Sequence, residues 1–308
     1  MVTTSAFTGT ACAICGPGVS ATELYPATFT PADLSPAVFS ARRLPDRVHY
    51  RMVRCDRCGL IRSDPVADAA TLADLYRESS FDYEPEVENL KLTYGRHLAG
   101  LDGLGARHGS LLEIGCGNGF FLDVAREAGY AEVRGVEPSA AAVELASPGT
   151  RPAIVQAMFR PGLFPPESFD VACLFQVFDH VPDPRALLAA VHEVLRPGGL
   201  LLCLNHDVES LSARLLKDRS PIIDIEHTYL YSRATQGSML ELEGFEVAAS
   251  GSVRNTYSLA YLVRLLPLPG SLKRPLLSLL RATRAGGLRA SVPLGNLYAV
   301  GRRVRSRT

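Results

Sequence analysis

The sequence predicts an open, doubly wound α/β domain with a mostly parallel sheet, preceded by a small cysteine-rich module. Three observations carry this. The apolar run 111–114 ends in glycines at 115, 117 and 119 and passes at once into a helical pattern. From there to about residue 250, short apolar runs alternate with amphipathic segments, as in strands joined by crossover helices. Ahead of them stand two matching Cys-x-x-Cys-Gly knuckles, Cys12/Cys15 and Cys55/Cys58. At 308 residues the chain has ample material for a core.

The glycine turn comes first because it is the strongest local signal. Glycine accepts positive φ and exposes bare backbone, and the following helix start aims its free N–H groups at whatever lies there. A dinucleotide fingerprint needs a small residue at position 120, where Phe120 stands, and the Gly-Lys-Ser/Thr of a P-loop is absent. What remains is Glu113-x-Gly115-x-Gly117-x-Gly119, with Glu137 22 positions after Gly115. In an open α/β sheet that second acid ends the next strand, where a carboxylate binds ribose hydroxyls. A ribose-bearing ligand without a pyrophosphate fits.

The knuckles predict a closed four-cysteine zinc site on residues 1–66. A C-x-x-C turn sets two thiolates at tetrahedral spacing, and two such turns leave no coordination position open, so the metal is structural. It staples a module too small to build its own core. Between them, 48–53 reads as a strand. Residues 67–108 read as helices over 68–76 and 86–104, and 109–308 as the α/β domain. Its strands are expected at 111–114, 133–136, 153–155, 171–175, 200–204, 245–249 and 297–301. Ser139 caps the helix 140–146. The helix 185–195 stops at Arg196-Pro197-Gly198-Gly199. An insertion at about 256–290 carries two basic amphipathic helices within 258–285, around Pro267-Leu268-Pro269-Gly270.

The glycine turn, the acid–His pair Asp179-His180 with its Pro turn, and the order "helix, R-P-G-G, apolar strand" together resemble class I S-adenosylmethionine-dependent methyltransferases over about residues 108–250. The resemblance implies a Rossmann-like, seven-stranded, mostly parallel sheet whose last strand is antiparallel, and S-adenosylmethionine as methyl donor. It assigns donor contacts to Glu113, Gly115, Cys116, Gly117, Gly119, Glu137, Pro138, Met158, Phe159 and Gln176. Many members hold the adenine amino group with an aspartate where this chain has Met158, so an apolar adenine pocket closed by Met158 and Phe159 is expected instead. In this family a helical segment ahead of the first strand lies over the donor, and Tyr83 and Arg96 are candidates for that lid or for simple packing.

Methyl transfer is an in-line displacement, and a hydroxyl or carbon acceptor must lose a proton to a base. Histidine suits that task near neutral pH. Three histidines lie on the expected site face. His227, beside Glu226, ranks first: 224–227 is similar to the Y-x-E-H stretch of zinc-containing sugar C-methyltransferases, with Asp224 in place of the Tyr. His206 ranks second, with Asp207 as its orienter. His180 reads as structural or donor-side. The sugar-modifying enzymes carry a further C-terminal domain that does not follow here, which favours O-methylation of a sugar, glycan or natural-product intermediate. C-methylation of a nucleotide sugar, RNA methylation and a non-catalytic binding protein are the alternatives.

Charge bears on partners. The net charge is zero, yet every acidic residue lies at or before Glu246, while 11 Lys/Arg lie from Arg254 onward. That tail either packs on the acidic body or meets a phosphate-bearing substrate, lipid headgroups or nucleic acid. The acidic body, the absence of tryptophan and a Phe175-Gln-Val-Phe178 stretch in place of D/N-P-P-Y/F argue against nucleic acid. The insertion is open to roles as substrate lid, homodimer surface or membrane contact. No transmembrane run or secretory leader is read, so a cytoplasmic location is expected.

Overall fold

A computed structural model describes residues 7–30, 35, 47–78, 87–265 and 268–304. In chain order the strands and helices are β1 (Phe7–Thr8), β2 (Ala21–Tyr25), β3 (Met52–Cys55), β4 (Ile61–Ser63), β5 (Val66–Ala67), α1 (Ala69–Glu78), α2 (Val87–Gly100), β6 (Ser110–Ile114), α3 (Phe120–Glu127), β7 (Glu132–Glu137), α4 (Ala140–Glu144), β8 (Ile154–Gln156), β9 (Phe169–Phe175), α5 (Pro184–Val194), β10 (Leu195–His206), α6 (Leu211–Leu216), β11 (Tyr229–Leu230), α7 (Arg233–Leu242), β12 (Phe245–Ser252), β13 (Asn255–Ser258), α8 (Leu259–Leu265), α9 (Gly270–Ala282), β14 (Arg289–Val292) and β15 (Asn296–Arg303).

Seven strands form one sheet in the order β12-β15-β10-β9-β6-β7-β8. β6, β7, β8, β9 and β10 run parallel, whereas β15 is antiparallel to both β10 and β12. This is the expected Rossmann-like α/β arrangement. Buried on both faces, the central strands alternate their side chains between two apolar layers. Leu112, Ile114, Ala172, Leu174, Leu201 and Cys203 pack with α5 and α7. Leu111, Val171, Cys173, Phe175, Leu200 and Leu202 pack with α2 and α3. Each fully buried leucine contributes roughly 2 kcal/mol.

The stretch 196–199 behaves differently from its reading. It does not separate helix from strand: β10 begins at Leu195, directly after α5, and carries Arg196 to Gly199 as an irregularity in its pairing with β9. Gly198 has φ 79. A Cβ on Gly199 would lie 2.8 Å from the Arg196 carbonyl oxygen and 3.0 Å from that of Asp170, so the backbones close up only on glycine. Arg196 turns back to pair with Asp170 at 2.6 Å.

The described residues of the N-terminal module are joined to the α/β domain. A second sheet runs β11-β4-β3-β2, so a strand from the far side of the α/β domain completes the N-terminal one. Ser63 donates its backbone N–H to Thr228 O at 2.9 Å and its hydroxyl to His227 O at 2.7 Å. The Tyr229 hydroxyl donates to Ala11 O at 3.0 Å.

Tyr83 lies outside the described residues. Arg96 takes no lid position. It reaches Thr256 Oγ1 at 2.7 Å, and Arg254 O and Ser291 Oγ at 3.2 Å each, tying α2 to the ribbon of β13 and β14. Part of the basic tail is also committed to the body. Arg302 donates to Leu104 O at 2.7 Å, and Arg303 donates to Leu195 O and pairs with Glu167 at 3.3 Å. α9 is different: none of its residues is buried, and Leu272 and Leu279 point outward beside Arg274 and Arg281. Among the described residues, no helix is long and apolar enough to cross a membrane.

Candidate functional site

A cavity of about 1120 Å³ opens beyond the carboxyl ends of β6, β7, β9 and β10, where open α/β sheets place their ligands. A pocket for one small ligand runs about 300–1,000 Å³, so this one has room for two.

At one end stands the glycine turn. Gly115, Gly117 and Gly119 all have positive φ, 71, 54 and 74. A Cβ at Gly115 would come within 2.4 Å of Val177 Cγ2, and one at Gly119 within 2.6 Å of Thr150 Cγ2. Gly115, Glu137, Pro138, Met158, Phe159 and Gln176 line the cavity; Glu113, Cys116, Gly117 and Gly119 do not. The Cys116 side chain packs beside Gly135 on β7, where a Cβ would meet its sulfur at 2.5 Å. Glu137 holds the turn: its carboxylate accepts from Gly117 N at 2.8 Å and Ser139 N at 2.9 Å. Behind it Glu113 is buried with Oε2 unpaired. Burial first, and then the nearby Glu137, push its carboxyl well above the usual range. Gln176 has φ 57 and a buried, unpaired Oε1. Strain in a non-glycine residue together with an unmet acceptor marks a position shaped for a ligand.

At the other end the fold gathers three histidines around one carboxylate. Asp179, fully buried after β9, places Oδ2 2.6 Å from His206 Nδ1 at the end of β10 and 3.9 Å from His227 Nε2 in the loop before β11. His180 Nε2 lies 3.6 Å from Asp179 Oδ1, and its Nδ1 lies 3.1 Å from the Tyr76 hydroxyl of α1. Burial pushes the His180 ring down to about 3 against the pull of Asp179, so it is neutral. Burial opposes the charge on Asp179, but the facing rings and the His206 hydrogen bond outweigh it and hold the carboxyl below its ordinary value. His180, His206, Glu226 and His227 all line the cavity.

Two details correct the reading from sequence. The carboxylate that orients His206 is Asp179, not Asp207, whose Oδ1 accepts instead from Glu209 N at 2.9 Å. His227, ranked first as base, is the more enclosed ring, with side-chain exposure of 6% against 23% for His206, and Ile222 O lies 2.8 Å from its Nδ1. Tyr76 and Ser63 carried no signal in the sequence, since their partners lie more than 100 residues away. Asp179 was visible as half of an acid–His pair, but its second imidazole arrives only through the pairing of β9 with β10.

Apart from the cavity, Cys12, Cys15, Cys55 and Cys58 bring four sulfurs within 4.8 Å of one another, with Cys12 and Cys58 at 3.4 Å. The Cys15 N–H faces Cys12 Sγ at 3.3 Å. Burial pushes the Cys55 thiol up, yet the Cys58 and Arg57 N–H groups and the neighbouring thiols bring it down to about 7. That donor set suits a tetrahedral thiolate site.

The sheet order, the glycine turn and the acid ending the neighbouring strand define a class I methyltransferase fold. Residues 88–250 match the family described as "Methyltransferase domain", and the chain belongs to that family. It is similar to the ubiquinone biosynthesis O-methyltransferase of Cereibacter sphaeroides (strain ATCC 17029 / ATH 2.4.9), 32% identical over 117 residues that cover 34% of this chain and 45% of that one. The same-named protein of Idiomarina loihiensis is 28% identical over 158 residues, 48% of this chain and 63% of that one. The chain thus spans about half the length of these curated relatives. Among solved structures, a SAM-dependent methyltransferase from Aquifex aeolicus aligns with 15% identity and a TM-score of 0.47, over 77% of this chain and 99% of that one.

Proposed function

We propose that this protein transfers the methyl group of S-adenosylmethionine to a hydroxyl oxygen on a small acceptor with an apolar body. The carrying observation is the single cavity that has the glycine turn and Glu137 at one end and the Asp179–His206–His227 cluster at the other. The donor's residues fit the group: the positive-φ turn brings the Gly115 backbone to the cavity wall beside Glu137, and Gln176, also on that wall, has a buried Oε1 with no partner in the fold. Glu137 would meet the ribose, and Pro138, Met158 and Phe159 would flank the adenine. Cys116 would contribute through its backbone only.

When bound, the sulfonium supplies an electrophilic methyl with its own neutral leaving group. The chain must align the two reactants and draw the proton from the acceptor. Of the side chains alone, His206 is the proton acceptor: Asp179 fixes its Nδ1 and leaves Nε2 for the hydroxyl, and the ionised carboxylate stabilises the imidazolium that forms. His227 and Glu226 shape the wall beside it. The acceptor's body would rest against Leu72, Tyr257, Tyr261, Leu262 and Leu276, which favours an aromatic or aliphatic alcohol over a free sugar. The relatives' O-methyltransferase names point the same way. The basic, outward face of α9 would suit a phosphate-bearing acceptor or a second copy of the chain. The four cysteines would hold one structural zinc ion.

Calorimetry with S-adenosylmethionine tests the donor end, and a donor-coupled screen of phenols, catechols and sugars tests the acceptor end. Absence of binding at high micromolar donor removes the enzymatic reading. Turnover of sugars alone removes the apolar acceptor.

A further inference from the structure

We propose that Asp179, His206 and His227 form a binding site for a divalent first-row transition-metal ion at the acceptor end of the cavity. This rests on the reading that the acceptor's hydroxyl lies at this cluster, and concerns how that oxygen is activated: with the ion bound, His206 Nδ1 would be a ligand in place of its hydrogen bond to Asp179, and the ion would replace His206 as the activating group. One ligand atom from each residue lies within 4.8 Å of the other two. Metal–nitrogen and metal–oxygen bonds of about 2.1 Å put neighbouring ligand atoms roughly 3 Å apart, a spacing bracketed by the 2.6 Å and 3.9 Å separations from Asp179 Oδ2. Two imidazoles and one carboxylate form a common donor set for zinc and for non-haem iron.

Two further observations point to a cation. The His227 Nδ1 sits 2.8 Å from the Ile222 carbonyl, a contact only an Nδ1–H can satisfy. The other ring nitrogen, Nε2, faces Asp179 Oδ2 at 3.9 Å, beyond hydrogen-bond distance. A backbone carbonyl behind a ring in this way is the usual outer partner of a metal-bound histidine. Asp179 Oδ1 is also fully buried without a hydrogen-bond partner. Its nearest ring nitrogen, His180 Nε2, lies 3.6 Å away, and a buried carboxylate with one oxygen outside hydrogen-bond distance of any donor is costly unless a positive charge completes it.

The cluster borders the cavity through His206 and His227, so the open coordination positions of such an ion would face the acceptor. An acceptor hydroxyl on the ion would lose its proton to water, and the oxygen keeps the electron pair with which it attacks the methyl carbon. The carbon–sulfur bond breaks as the oxygen–carbon bond forms, and the thioether leaves neutral. Acceptors with two adjacent oxygens would profit most, since both can reach one ion.

Cobalt(II) is the probe, added to protein whose four cysteines are already loaded with zinc. At the cysteines cobalt would show intense sulfur charge-transfer bands, whereas two imidazoles and a carboxylate give weak visible d–d bands alone. The expected result is saturable uptake of one cobalt ion with d–d bands only, its dissociation constant raised at least tenfold in Asp179→Asn and in His227→Gln. Binding of S-adenosylhomocysteine serves as the folding control for both variants. Failure of the wild-type protein to develop d–d bands up to millimolar cobalt overturns the site, as does equal uptake by both folded variants. Donor binding and turnover that persist in chelator after such a failure leave the methyltransferase reading standing without the ion. Loss of donor binding in the wild-type protein, in contrast, strikes the functional reading itself.

Discussion

The two ends of the cavity are built in opposite ways. The heart of the donor end is local: one strand, one glycine turn and the acid of the next strand within residues 113–139, with Glu137 tying the turn to itself through Gly117 and Ser139, while Met158, Phe159 and Gln176 join it from the ends of β8 and β9. The acceptor end is assembled from distant pieces: Tyr76 on α1, Asp179 and His180 after β9, His206 on β10, His227 before β11, and Ser63 of the N-terminal sheet holding His227 from behind. A local site keeps its shape so long as the parallel sheet stands. A composite one depends on every segment that reaches it, so the two ends should fail separately.

The largest effect expected is from Cys55→Ser. Structural zinc in small modules contributes on the order of 10 kcal/mol of folding free energy, and losing it should melt the N-terminal sheet that β11 completes. Acceptor turnover should disappear while donor affinity, read by calorimetry, stays within a few-fold. Equal loss of both would show that the ends are not independent. Next comes His206→Ala, which removes the proposed proton acceptor and should lower turnover by about 10²–10⁴-fold, again with donor affinity preserved. If donor affinity falls in step with turnover, His206 belongs to the donor end.

Gly117→Val attacks the other side. A β-branched residue at φ 54 is strained by roughly 1–3 kcal/mol and disturbs the turn that Glu137 holds through the Gly117 N–H. Donor affinity should drop by about tenfold to a hundredfold, while circular dichroism and zinc content remain those of the wild type. Unchanged affinity would remove the glycine cradle from the site. The smallest effect concerns acid stability. His180 is held neutral, its folded value near 3 lying below its ordinary 6.5. The unfolded chain therefore takes up a proton that the folded one refuses. The stability this ring contributes is present above pH 6.5 and is lost as pH falls from 6.5 toward 3. His180→Asn should flatten the decline of the melting temperature across that window; an unaltered slope would mean that other groups govern it.

The same contrast explains what could be read from sequence. The individual strands and the glycine turn followed from apolar period and glycine placement, because each is set by residues a few positions apart, whereas the seven-stranded sheet with its antiparallel last strand came from the family resemblance. β10 exceeded its reading because the steric fit of Gly199 under the Arg196 and Asp170 carbonyls lets a strand run through a stretch that looks like a break. At the acceptor end the sequence marked the histidines but not their arrangement. Asp207 adjoins His206 in the chain, yet it follows the end of β10 and accepts from Glu209 N, and the carboxylate that meets the ring comes from the loop after the neighbouring strand β9. Domain organisation was the hardest to see: nothing in Ile61–Ser63 announces that its sheet partner is Tyr229–Leu230.

That pairing also governs when the catalytic machinery can exist. The Ser63–His227 contact closes a span of 164 residues, and long closures form late because their entropy must be met before the contact returns anything. During synthesis the knuckles and the first three strands of the N-terminal sheet emerge with one edge open, and that edge waits for Leu230. The acceptor cluster is therefore among the last parts of the molecule to mature, after the donor turn has formed, so a freshly made chain should hold its methyl donor before it can use it.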